Sequence, residues 1–453
     1  MPSSPRRPIP PAPMFDSAVV LARHIQDTLA FFEGAVDPAG GFFHFLRDDG
    51  TVFNRTTRHL VSSTRFVFTH AKAARRFPDH PLAAVWHQRA RHALNFVEQA
   101  HTVLDPALPG GRRYLWQMQF DGRVTAVDDA TDYAYGHAFV VLAHAQMTAL
   151  CRDLAQRSGS ERDQAEHAAA RAALESAVAT MDAAFWSQEH QLFADERDAS
   201  GQIPPYRGQN ANMHSCEAFL AAWDATGEAA YLDRAALLAE RVAHDLANAS
   251  HGLVWEHFTA AWQPDWDYNR GDTSNIFKPW GFQTGHQTEW AKLLLQLAHA
   301  LRRAGRQVPQ WLVPRARLML DTGWEQGWDA AHGGLIYGFA PQGDPAQDTQ
   351  WQPFDGHKYH WVQAETLAAL LHAAAHEAAA DPAYSALCRQ RYGQLWDYAW
   401  THFVDHRHGA WFRILAPDNA ALTDEKCTAG KADYHNMGAC YDMLDALAVM
   451  GGA

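Results

Sequence analysis

The sequence predicts an all-α fold, a closed (α/α)6 barrel with short β-hairpins in the loops gathered at one mouth. Three observations carry this expectation. Apolar residues recur at three- and four-residue spacing in about a dozen Ala/Leu-rich stretches, as in helices with one buried face. A Gly-aromatic segment returns six times at intervals of roughly 60 to 80 residues, dividing the chain into six helix pairs. No obvious polar capping repeat closes either end, so a ring that buries one continuous interior is favoured over an open solenoid.

In chain order the periodic stretches are 18–32, 60–77, 83–100, 133–154, 165–185, 213–225, 231–246, 289–301, 311–324, 362–378, 384–403 and 434–450. The intervening segments begin at Gly40, Gly110, Gln191, Gly252, Gly333 and Gly409, and most run from Gly through alternating aromatic or aliphatic residues. Each reads as a short hairpin or extended loop after the first helix of its pair. Residues 1–13 are Pro-rich with no apolar run of signal-peptide length, and are expected to form a flexible tail ahead of one catalytic domain, 14–453.

Composition narrows the function. The 453 residues are 47% hydrophobic, enough for a large core, and the net charge of −13 argues against nucleic acid or an anionic membrane as partner. No run reaches the ~18–20 apolar residues of a membrane helix. The five cysteines are scattered and lack a C-x-x-C pair, which points to a reducing cytoplasm and to neither a disulfide framework nor a thiolate zinc site. The 27 His and 17 Trp are the excess to explain, since imidazole moves protons and indole offers flat stacking faces.

Three histidines stand at or near the openings of helices from different repeats, and barrel closure would bring them to one mouth. His286 follows a Gly-rich turn, with Glu289 three residues on, on the same helix face, where a carboxylate can orient the imidazole or raise its basicity. Asn210 and His214 are four apart and suit a polyol. His435 lies in the loop-to-helix junction Gly430-Lys-Ala-Asp-Tyr-His-Asn. Arg65, inside an otherwise apolar helix, needs partners there and suits a developing oxyanion; the structural alternative is burial against a neighbouring carboxylate. Trp361 and Glu365 share a face and are expected to contact the substrate, Trp361 by stacking on a sugar ring although core packing is the usual fate of a Trp, and Trp280 and Tyr135 are expected as further substrate contacts. His402, His406 and His408 look metal-like but straddle a helix end, where histidine suits the helix dipole without a metal. No H-E-x-x-H, Walker loop, G-x-S-x-G or dinucleotide-binding Gly-rich loop is present, which removes most zincins, nucleotide users, serine hydrolases and NAD enzymes.

In order, Thr-Arg-Phe (64–66), Asn-x-x-x-His (210–214), Gly-His-x-x-Glu-Trp (285–290), Trp-Val-Gln-Ala-Glu (361–365) and Tyr-His-Asn (434–436) resemble the N-acylglucosamine 2-epimerase superfamily. It includes mannose isomerases, sulfoquinovose isomerases and cellobiose 2-epimerases. The resemblance runs from about Phe15 to the C-terminus and implies an (α/α)6 barrel working without cofactor or metal. It also implies His286 and His435 as acid/base pair, Glu289 as partner of His286, Arg65 as enediolate stabiliser, and His214 and Asn210 as sugar contacts. Cellobiose epimerases carry a Trp five residues before the final active-site His; here that residue is Gly430, so the resemblance favours the monosaccharide isomerases. The leading expectation is an aldose–ketose isomerase interconverting D-mannose and D-fructose, with D-lyxose as a possible relative, acting as monomer or homodimer on a free monosaccharide. A 2-epimerase or sulfoquinovose isomerase shares nearly every residue. A glycoside hydrolase needing two facing carboxylates and a catalytically silent sugar-binding protein are the expectations from other classes.

Overall fold

The computed structural model describes residues 9–198, 200–272 and 278–451. Among them twelve α-helices follow one another: α1 (Ala18–Phe31), α2 (Leu60–Arg76), α3 (Ala83–Phe96), α4 (Ala134–Ser158), α5 (Glu161–Phe185), α6 (Asn210–Thr226), α7 (Ala229–Ala239), α8 (Thr284–Arg303), α9 (Leu312–Gly327), α10 (His360–Glu377), α11 (Pro382–His402) and α12 (Tyr434–Gly451). The even-numbered helices form the inner ring of an (α/α)6 barrel, and α12 returns to pack on α2. Each odd-numbered helix lies outside, against the inner helix that precedes it. The exception in sequence is α1, which closes the circle by packing on α12.

Burial separates the two layers. Every residue of α8 from Thr284 to Leu295 is buried, whereas α5 buries Leu174, Ala177, Thr180, Met181, Ala184 and Phe185, one stripe at helical spacing. Inner helices can sit this close because several contacts use residues without bulk. A Cβ on Gly285 would come within 2.2 Å of the Trp361 ring. Gly285→Ala should therefore cost ~1–3 kcal/mol of stability and push Trp361 out of place, read as a lower Tm and a raised KM.

The six Gly-aromatic segments are the connections from outer to inner helices, and their turns have a chemical reason. Short antiparallel bridges join Val36 to Phe42, Trp328 to Leu335 and Val404 to Trp411. In these three, the residue after the first bridge partner is an Asp (Asp37, Asp329, Asp405) whose Oδ1 accepts backbone N–H groups of the turn. Its Oδ2 meets a buried cation, Arg58 at 2.6 Å, Lys358 at 2.8 Å and Lys426 at 2.6 Å respectively. Gly41, Gly333 and Gly409 then take positive φ of 65°, 74° and 85°, where a side chain would be strained.

An amide clamp ties the middle hairpins to the inner ring. Asn212, Gln287 and Gln363 each accept from and donate to one backbone residue, Phe193, Val254 and Leu335, at 2.8–3.0 Å. These two-point bonds satisfy buried peptide groups and fix the heights of α6, α8 and α10, the helices that carry His214, His286 and Glu365.

Residues 1–8 of the expected tail lie outside the described residues. Beyond them, the Pro10 carbonyl of the tail accepts a 2.8 Å bond from Trp400 Nε1 of α11, and Phe15, just past the tail, stacks on Trp396 of the same helix at 3.6 Å. The His-rich stretch at 402–408 is one of the capped turns: Asp405 pairs with Lys426, and His406 Nε2 is bonded to the Trp400 carbonyl at 2.7 Å. All five cysteines are free and buried. No helix among the described residues is long and apolar enough to cross a membrane.

Candidate active site

A cavity of about 440 Å3 opens at the mouth where the inner helices begin. The helices start earlier than their apolar periodicity suggests, at Asn210, Thr284 and His360 rather than 213, 289 and 362, because the polar first turns face the cavity instead of the core. Arg65, Tyr135, Asn210, His214, His286, Glu289, Trp361 and His435 all line it, drawn from all six inner helices.

Each of the three histidines is backed by a carboxylate at Nδ1. His286 Nδ1 lies 2.9 and 3.0 Å from the two oxygens of Glu256, on the hairpin that follows α7. Glu256 is held in turn by Gln209 Nε2 at 3.0 Å, and the amide orientation is set by Trp290 Nε1, which donates to Gln209 Oε1 at 2.8 Å. His435 Nδ1 is 2.6 Å from Glu365 Oε1, and His214 Nδ1 is 3.0 Å from Glu217 Oε2. Glu217 also accepts from the Tyr434 hydroxyl. Burial alone would raise the Glu217 carboxyl, yet the His214 hydrogen bond and charge bring it down to about 2. With Nδ1 engaged, Nε2 of His286 is the edge left to the cavity, whereas Nε2 of His435 takes an Arg65 N–H at 3.2 Å. Trp361 stands between them, its ring 5.2 Å from His286 and 5.7 Å from His435.

Arg65 has an unusual environment for a buried guanidinium. It lies between the faces of Phe139 and Tyr434, 4.5 Å from each centroid, and donates to the Gly430 carbonyl, to Tyr135 Oη at 3.1 Å and to His435 Nε2 at 3.2 Å. Among the described residues it forms no ion pair, so the alternative of burial against a carboxylate is not what the fold provides. Its charge remains available to an anion in the cavity. Gly430 makes this contact at φ +86°, a backbone angle that disfavours a bulky residue.

Three expectations need correction. Glu289 does not pair with His286: the shared helix face is real, but the imidazole edge turns to Glu256, and Glu289 Oε2 stays buried without a hydrogen-bond partner among the described residues. Burial first, and the neighbouring Glu365 second, raise the Glu289 carboxyl well above the carboxylate range, favouring a neutral acid that can donate to a sugar oxygen. Glu365 is not a substrate contact, because Lys292 at 2.5 Å and His435 take its two oxygens beneath the cavity floor. Trp280 lies outside the cavity. Its indole N–H is bonded to the Trp266 carbonyl at 2.6 Å and its ring packs on Trp255 and Phe354, as a buried indole must find an acceptor.

The sequence reading missed Glu256, Glu217, Gln209 and Lys292. Two had a signal. His214 and Glu217 have the same i, i+3 spacing that was read at His286 and Glu289, and Glu256 is the acid in the Gly-aromatic segment Leu253-Val-Trp-Glu-His-Phe. Gln209 and Lys292 acquire meaning only from their tertiary partners. Glu289, Glu365 and His435 place ligand-type atoms within 4.8 Å of one another, as do His214, Glu217 and Glu289. These do not fit a resident metal, because Lys292 and Arg65 already occupy the Glu365–His435 pair and Tyr434 and His214 occupy Glu217.

Residues 41–439 match the family model described as N-acylglucosamine 2-epimerase. The chain belongs to the N-acylglucosamine 2-epimerase family. Within it, the chain is 42% identical over 440 residues to a D-mannose isomerase of Marinomonas mediterranea, covering 96% of this chain and 99% of the relative. A crystal structure of a D-mannose isomerase superposes with a TM-score of 0.80 at 40% identity, over 96% of this chain and 99% of that one. Cellobiose 2-epimerase from Spirochaeta thermophila shares the fold, with a TM-score of 0.73 at 21% identity over 96% and 97% of the two chains.

Proposed function

We propose that this family member interconverts D-mannose and D-fructose by proton transfer through a cis-enediolate. The observation that carries the reading is the pair of Glu-backed histidines, His286 and His435, facing one small cavity beside an Arg65 that forms no ion pair among the described residues. The full-length similarity to a D-mannose isomerase supports the choice of sugar.

In the open-chain aldose one imidazole Nε2 removes the C2 proton. The C2–H electron pair forms the C1–C2 double bond as the C1=O π pair moves onto O1, and Arg65 stabilises the negative charge that O1 then shares with O2 by proton transfer. Return of a proton to C1, with transfer between the two oxygens, gives the ketose. In this reading Glu289, as a neutral acid, and Tyr135 serve those oxygens, Trp361 forms the wall between the histidines, and Asn210 Oδ1, without a partner among the described residues, accepts from a hydroxyl. The free, buried cysteines support a reducing, cytoplasmic location.

The test is incubation with an aldose panel in heavy water. Fructose formed from mannose, with any exchanged deuterium at C1, supports the isomerase; glucose labelled at C2 would make the protein an epimerase, and neither product would overturn the reading. Lys278 and Arg413 also line the cavity and are the contacts a sulfonated sugar would use, so the panel includes sulfoquinovose. A hydrolase is disfavoured by the family, although Asp129, Asp195 and Glu196 stand at the cavity beside Glu289.

A further inference from the structure

Beneath the cavity floor lies a buried cation that the reaction scheme above does not use. Lys292, two turns into α8 and 3% exposed, places Nζ 2.5 Å from Glu365 Oε2 and 3.4 Å from Asp442 Oδ2 of α12. Glu365 uses its other oxygen for His435. We propose that Lys292 is a positioning residue of the isomerase: its ammonium, shared between Glu365 and Asp442, keeps the Glu365–His435 pair from taking up a proton near neutral pH and so leaves His435 able to accept one from the sugar. The inference rests on the isomerase reading and adds to it the group that sets the readiness of one of the two histidines.

The tautomer follows from the partners. Arginine has only donors, so the Arg65 contact makes Nε2 the lone-pair nitrogen of His435, and Nδ1–H donates to Glu365. A lone carboxylate at Nδ1 raises imidazole basicity and would tend to hold the ring as imidazolium at neutral pH. A lysine on the far oxygen removes much of that pull. Burial first, then Arg65, His214 and Lys292, hold the His435 imidazole well below its ordinary value. Burial raises the Glu365 carboxyl, and Lys292 is the largest influence opposing that rise.

The other Glu-backed base is built differently. Glu256, behind His286, has the neutral amide of Gln209 as its second partner. Two histidines with matching first partners thus differ in the charge behind them, the asymmetry expected where one group must begin as base and another can serve as acid.

The surroundings bear on the sign. The cations facing the pair are Arg65 from α2 and Lys292 from α8; the acids are Glu217 from α6, Glu289 from α8 and Asp442 from α12. The neighbouring imidazoles are His214 and His360, with rings 6.3 and 6.4 Å from His435, the neighbouring phenol is Tyr434, and Tyr135 of α4 is reached through Arg65. Asp442 is further engaged by Lys72 at 3.5 Å and faces His372. Removing the positive charge of Lys292 must ease proton uptake by the pair, whichever partner takes the proton. Removing the negative charge of Asp442 must do the reverse, both directly and by leaving Lys292 to Glu365 alone.

The experiment measures kcat on mannose against pH for wild type, Lys292→Met, Lys292→Arg and Asp442→Asn. Lys292→Met should move the acid limb upward by about one pH unit or more, a tenfold rise in proton affinity, with KM little changed. Lys292→Arg should hold the limb near wild type, and Asp442→Asn should move it downward. A limb unmoved in both Lys292→Met and Asp442→Asn, or moved the same way in both, overturns the proposal, as does an equal loss at every pH. If Lys292→Met does not fold, Asp442→Asn decides alone. The same shifts are to be read on the His435 imidazole by 15N NMR; wild-type protein inactive on every aldose would count against the isomerase reading, and the NMR titration would still judge Lys292.

Discussion

Replacing His286 or His435 by Asn should lower kcat on mannose by ~10²–10⁴-fold, the usual worth of a positioned acid/base group. KM should change by much less, because each ring supplies one edge of a cavity whose other contacts remain. Glu256→Gln should also fall steeply while leaving the imidazole in place, since one of the two carboxylate oxygens at His286 Nδ1 becomes an NH2 donor and the charge is lost, so the Nδ1–H tautomer that aims Nε2 at the cavity is no longer fixed. A double variant of His286 and Glu256 should be scarcely worse than His286→Asn alone, because the two act as one unit. Product formation by chromatography, with circular dichroism to confirm folding, checks the set. Either histidine variant retaining more than about a tenth of wild-type kcat would contradict the acid/base assignment.

Arg65→Met should cost ~10²–10³-fold in kcat, the loss typical of removing a donor aimed at a developing oxyanion. Arg65→Lys should recover little of it. The guanidinium reaches Gly430, Tyr135 and His435 while lying between two aromatic faces, and an ammonium has neither the planar fork nor the stacking surface. Because Arg65 also ties the Gly430 turn to α2, the thermal transition of Arg65→Met is to be followed alongside its kinetics. A fall in Tm with kcat within threefold of wild type would make Arg65 a structural residue rather than an enediolate partner.

The two predictions draw on different levels of the molecule. Histidines at helix openings could be picked out in the sequence because Gly-rich turns and polar first turns interrupt an apolar period at 285–286, 210–214 and 430–435. Which carboxylate serves each imidazole could not. The i, i+3 relation is a statement about one helix face, and at His214 it is realised with Glu217. At His286 the same spacing fails, because Glu256 of a neighbouring hairpin reaches Nδ1 and Glu289 is left toward the cavity. Trp280 shows the complementary error: it is expected on the sugar, while its indole N–H is bonded to the Trp266 carbonyl in the core.

By itself the sequence determined the twelve helices, their alternation with six hairpin connections, and the closed sixfold ring. These depend on local periodicity and on turn residues such as Asp37, Gly41, Asp329 and Gly333, whose preferences act over a few residues. It also determined Arg65, Tyr135, Asn210, His214, His286, Glu289, Trp361 and His435, since each lies in the first two turns of an inner helix, whereas the rest of the lining comes largely from the connections. Only the tertiary structure decided the charges. The Glu256–His286, Glu365–His435 and Glu217–Tyr434 contacts join residues 30, 70 and 217 positions apart, and Lys292 reaches Glu365 across 73. The strength and direction of a buried electrostatic contact depend on distances that ring closure sets, and no periodicity along one chain encodes them.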